Sequence, residues 1–114
     1  MTSPFKPAAL LLALLATPAL AHDYPTTSLV EYVLECMYQH PNKQEYLYKC
    51  SCVIDEIAKK FKHDDFVEAS TAARYQSLQG ERGGAFRDPE NVKKLAKKFN
   101  EVQTQARKTC LIKE

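Results

Sequence analysis

The stretch Leu47-Tyr48-Lys49-Cys50-Ser51-Cys52-Val53-Ile54-Asp55-Glu56-Ile57-Ala58-Lys59-Lys60-Phe61 decides the fold. Leu47, Cys50, Ile54, Ile57 and Phe61 recur at spacings of three and four, the stripe of an amphipathic helix facing a core. Asn42 followed three residues later by Glu45 has the form of a capping box, so this helix is expected from about Lys43 to Phe61. Tyr46 and Tyr48 flank the stripe and are expected to cover its edges. Two cysteines within one turn mean that any bridges they make must tie this helix to other elements.

The same periodicity runs outward in both directions. Upstream, Leu29, Val33, Cys36 and Met37 share a face over about Thr27 to Gln39, with Ser28 and Glu31 in capping-box positions and His40-Pro41-Asn42 as a stop. Downstream, Lys62-His63 turns the chain into a third helix, about Asp65 to Leu78, with Asp64 or Asp65 as its cap. Gly80, Gly83 and Gly84 predict a flexible loop over 79–87. Asp88-Pro89-Glu90 then opens a last helix to about Cys110, with Val92, Leu95, Phe99, Val102, Ala106 and Cys110 inward. No strand-like alternation and no internal repeat occur. The expected class is all-α: a small four-helix domain stapled by two disulfides.

Residues 1–21 carry Lys6, the apolar run Ala8–Ala16, Pro18 and Ala19-Leu20-Ala21, the pattern of a secretory signal with a small-x-small cleavage site. The run is shorter than the ~20 residues that span a bilayer. The expected division is therefore 1–21 signal peptide and 22–114 single helical domain, with no membrane association after cleavage. Loss of Lys6 leaves 15 basic against 14 acidic residues. A charge this balanced argues against nucleic acid as a partner. Lys93, Lys94, Lys97, Lys98, Arg107 and Lys108 read as a solvated helix face.

Four cysteines in a short exported chain read as two disulfides and a periplasmic, oxidising location. Cys50–Cys52 would close a strained ring. Two pairings stay open, Cys36–Cys50 with Cys52–Cys110 and Cys36–Cys52 with Cys50–Cys110. In a hairpin turning at Pro41-Asn42, Cys36 lies nearer the level of Cys50, which favours the first. A thiolate metal or redox site at Cys50-Ser51-Cys52 fits less well, because the spacing is not that of a redox pair and no haem-binding histidine follows.

Asp64, Asp65 and Glu68 form the most suggestive polar group. Three carboxylates at a helix start can offer oxygens to a hard cation such as calcium, with Asp55 and Glu56 of the second helix as side ligands. The competing reading is a capping box with solvated charge. On one chain such a site is incomplete and invites waters or a second chain, a metal-bridged homodimer. Glu81, Asp88 and Glu90 bracket the glycine loop, where Arg82, Arg87 and an exposed Phe86 offer a docking surface for other proteins. His22, as the mature amino terminus, could chelate copper with His40 or His63. There is no Gly-x-Ser-x-Gly, no His-Glu-x-x-His and no spare cysteine once both bridges form, so no catalytic residue is assigned and an enzyme is not expected.

The runs Tyr48–Ala58, Asp64–Thr71, Gly80-Glu81-Arg82 and Phe86-Arg87-Asp88 resemble the landiscernin-like group of small exported bacterial proteins. These are encoded near PQQ-dependent alcohol dehydrogenases and lanthanide-handling genes in methylotrophs. The resemblance implies a non-catalytic periplasmic role: lanthanide binding at a surface site of few oxygen ligands, two chains around one ion, and transfer to partner proteins. An alternative on the same resemblance is an interaction or assembly factor for a periplasmic quinoprotein dehydrogenase system, with no metal of its own.

Overall fold

The computed structural model describes residues 22–113, so the expected signal segment lies outside the described residues. Five helices follow in order: α1 Thr26–Tyr38, α2 Tyr46–Ala58, α3 His63–Tyr75, α4 Gly80–Arg87 and α5 Glu90–Thr109. No strand occurs among the described residues. The all-α class stands, with one helix more than the sequence pattern predicts.

α2 is the hub. It packs against α1 on one side and α5 on the other, while α3 lies along α5. A helix with two neighbours must bury a wider arc than one stripe. That is why Tyr46 and Val53 join Cys50, Ile54 and Ile57 in the core, whereas the expected Leu47 is left exposed. Phe61, Phe66, Ala69, Phe99 and Ala106 complete the core from the other elements. His40 stacks on Tyr46 with ring centroids 3.9 Å apart, closing one end of the hub.

The disulfides are Cys36–Cys50 and Cys52–Cys110. This is the pairing that the hairpin register favours. One bridge joins α1 to α2; the other joins α2 to the residue that ends α5. In the chain-entropy account, separations of 14 and 58 residues correspond to about 3 and about 4 kcal/mol of stabilisation.

The expected glycine loop is a correction. Residues 80–87 form α4. Gly80 supplies a left-handed turn at φ 83°, and Gly83 sits against Leu78 so closely that a Cβ would lie 3.0 Å from the Leu78 Cβ. These glycines serve a sharp turn and close packing rather than freedom.

The helix starts differ too. Ser28 and Glu31 make no capping box, because α1 begins at Thr26 and the Ser28 hydroxyl meets His63 Nε2 at 3.0 Å. Asn42 does not cap α2 either; it turns left-handed at φ 63° and the helix begins at Tyr46. Asp88 is not the cap of α5. Its carboxylate accepts the Arg87 Nε–H at 2.8 Å, and Pro89 occupies the cap position.

Candidate functional site

Lys62 is extended and His63 begins α3, which places Asp64 and Asp65 in the first turn rather than at the cap. The cap comes from far along the chain. Asp23 accepts the His63 backbone N–H at 3.1 Å, satisfying one of the unpaired donors that every helix start presents. Phe66 points inward, so Asp64, Asp65, Val67 and Glu68 are left in solvent around it. Negative side chains are favourable here, against the positive end of the helix dipole.

The segment that delivers Asp23 is a short strap. Pro25 restricts Tyr24 to an extended backbone, and the Tyr24 ring sits between His22 and His63 at centroid distances of 5.2 and 5.1 Å. It also meets Phe66 at 5.2 Å, and its hydroxyl donates to the Phe61 carbonyl at 2.8 Å. Burial raises the pKa of this hydroxyl well above its usual value, and the charges of Asp23 and then Asp65 raise it further. Two carboxylates, one on the strap and one on α3, thus act on one oxygen.

Some of the other acids lie against basic side chains. Glu35 accepts Arg74 at 2.8 Å, Glu56 accepts Lys59 at 2.7 Å, and Asp55 lies 3.9 Å from His22. Asp55 and Glu56 thus have partners other than Glu68. Arg87 holds the Asp88 carboxyl below the usual carboxylate range and is itself raised by that bond. Among the described residues, Asp64, Asp65 and Glu68 enter no ion pair. Nor do three acid, histidine or cysteine groups converge tightly enough to hold an ion on one chain.

The remaining sequence candidates separate. His40 stacks on Tyr46, His22 faces Asp55, and His63 meets Ser28, so each histidine has its own partner. Arg87 is spent on Asp88 and on the Leu78 carbonyl at 2.6 Å. Phe86 is exposed as expected and leans on Tyr75. All four cysteines are bridged, and none is free. Disulfides of this kind belong to an oxidising compartment. No described helix is long and apolar enough to cross a membrane.

A second surface stands out on the α1–α2 hairpin. Leu29, Val30, Val33, Leu34, Met37, Leu47 and Ile54 line an open groove of about 300 Å³ whose charged member is Asp55. The sequence shows α1 residues on the inward face but gives no sign that Val30 and Leu34 stay exposed. The Asp23–Tyr24 strap also escapes sequence reading, since its partners lie about 40 residues away. No family model, curated protein or solved structure matches the chain.

Proposed function

We propose that this chain is an exported, non-catalytic periplasmic accessory protein that takes a hard cation, a lanthanide or calcium, as cargo on Asp64, Asp65 and Glu68. The observation that carries this reading is the gathering of unpaired, solvent-facing carboxylates at the start of α3, with Asp23 beside them. Hard cations take oxygen ligands and tolerate water in the remaining positions. The resemblance to landiscernin-like proteins points the same way, and the two disulfides fit the compartment. One chain offers too few converging ligands. The expected loaded form is therefore a metal-bridged homodimer or a hydrated site. Calorimetric titration of the mature protein with a lanthanide and with calcium tests it. Saturable binding that is lost in the Asp65→Asn/Glu68→Gln double variant supports the assignment; unchanged binding in that variant removes it.

The hairpin groove favours a second reading, a docking module for another periplasmic protein such as a quinoprotein dehydrogenase. Its occupant would be an amphipathic helix with basic flanks. α1 carries no basic residue, and Asp55 edges the groove. If the wild-type protein binds neither metal, this reading takes its place. Its own test is a synthetic leucine-lysine helical peptide, bound saturably by the wild type and not by Leu34→Asp.

A further inference from the structure

A separate crevice of about 210 Å³ opens where α1, α3 and α5 meet. Its floor is aromatic: Tyr32 and Phe66 lie 6.2 Å apart and Phe66 and Phe99 6.0 Å apart, by ring centroids. A cavity of ~150 Å³ holds a benzene ring, so this one has space for a ring with one substituent. The charged groups of the lining are already engaged. Arg74 is held at 2.8 Å by Glu35, which lines the same crevice. Arg107 donates to the Gln39 side-chain oxygen at 3.5 Å and has a further partner. An ion entering here would shed water without gaining a free counter-charge, which is costly. What the walls still offer is neutral. The Gln103 amide bonds the Tyr32 hydroxyl at 2.6 Å, and in either orientation of that amide the pair keeps a spare donor. Burial raises the Tyr32 pKa above its usual value, so the phenol keeps its proton. The Ser70 hydroxyl, also on the lining, donates to the Val67 carbonyl at 3.2 Å, which leaves its oxygen as an acceptor. An aromatic floor with neutral donors and acceptors around it selects a flat, uncharged body with a polar edge.

We infer that this crevice binds a small uncharged aryl carboxamide, its ring over Phe66 and Phe99, its carbonyl accepting from the Tyr32–Gln103 pair and its N–H turned to Ser70. The ring supplies apolar area, and the amide fills a donor and an acceptor together without bringing a charge. This site is independent of the acids at the start of α3 and of the hairpin groove. It gives the protein a ligand-binding function besides the handling of a cation.

Benzamide is the probe, followed by backbone amide shifts of the metal-free mature protein. Benzoate is its charged counterpart, and toluene keeps the ring without the amide. Benzamide is expected to give saturable shifts around Tyr32, Ser70 and Gln103, with benzoate and toluene each bound about tenfold more weakly. Tyr32→Phe/Gln103→Leu, which removes both donors of the pair, should bring benzamide down to the affinity of toluene. Ser70→Leu, which fills the crevice from the α3 side, should abolish the shifts at Tyr32 and Gln103, and it decides the matter if the double variant does not fold. Absence of saturable shifts in the wild type overturns the inference. So does benzoate or toluene binding as tightly as benzamide, benzamide affinity untouched in the double variant, or shifts that persist in Ser70→Leu.

Discussion

Along α2, Cys50, Val53 and Ile57 are wholly buried and both disulfides leave from one turn. The opening turns of α3 instead hold Asp64, Asp65, Val67 and Glu68 in solvent around one inward side chain, Phe66. The first region is made of side chains that have no chemistry left to offer. The second is made of side chains with nothing to do in packing. Between them lies the Tyr24 strap, which fastens the acidic edge to the frame through the Phe61 carbonyl and the His63 amide. Stability should therefore concentrate in α2 and cation chemistry in α3, and substitutions should separate the two.

The largest effect is expected from removing the Cys52–Cys110 bridge by paired alanine substitution. A loss of about 4 kcal/mol in denaturant unfolding is predicted, against about 3 for Cys36–Cys50. Ile57→Val, which deletes one methyl from the hub, should cost about 1 kcal/mol in the same assay. An unchanged midpoint would mean that the hub is looser than its burial implies.

Tyr24→Phe should cost about 1 kcal/mol, the net value of its hydrogen bond to Phe61. It carries a pH signature as well. The folded state raises the Tyr24 pKa, so the stability that depends on its proton is complete below the ordinary tyrosine value of about 10. That stability is lost as pH climbs above this value toward the folded one. Unfolding measured between neutral and strongly alkaline pH should show the loss in the wild type and a smaller one in Tyr24→Phe. At the far end, Asp65→Asn should cost only about 0.5 kcal/mol, an exposed charge removed from a helix start. A larger loss would show that Asp65 belongs to the frame.

The helical class, the inward faces of Cys50, Ile54, Ile57, Phe99 and Ala106, and the favoured bridge register were legible because each rests on local spacing. Gly80 and Gly83 misled, since a glycine needed for a turn and one needed for close approach look the same in sequence as a flexible run. The capping boxes at Ser28 and Asp65 failed for a related reason. Ser28 turns to His63, and the α3 start takes its cap from Asp23, 40 residues upstream. The acids of the candidate site were visible as a charge cluster. Their connection to Tyr24 was not, because it depends on where the strap lies in three dimensions.

The most direct test of the acidic edge uses terbium(III), whose emission is sensitised by a nearby tyrosine. The Tyr24 ring packs on His63 and Phe66, which flank Asp64 and Asp65 in the chain, and can serve as the donor. Excited through tyrosine, the mature wild-type protein should show saturable terbium emission. Tyr24→Phe should lower the emission and leave a calorimetric titration unchanged, while Asp65→Asn/Glu68→Gln should remove both signals. Emission and binding that persist in the double variant would contradict the account.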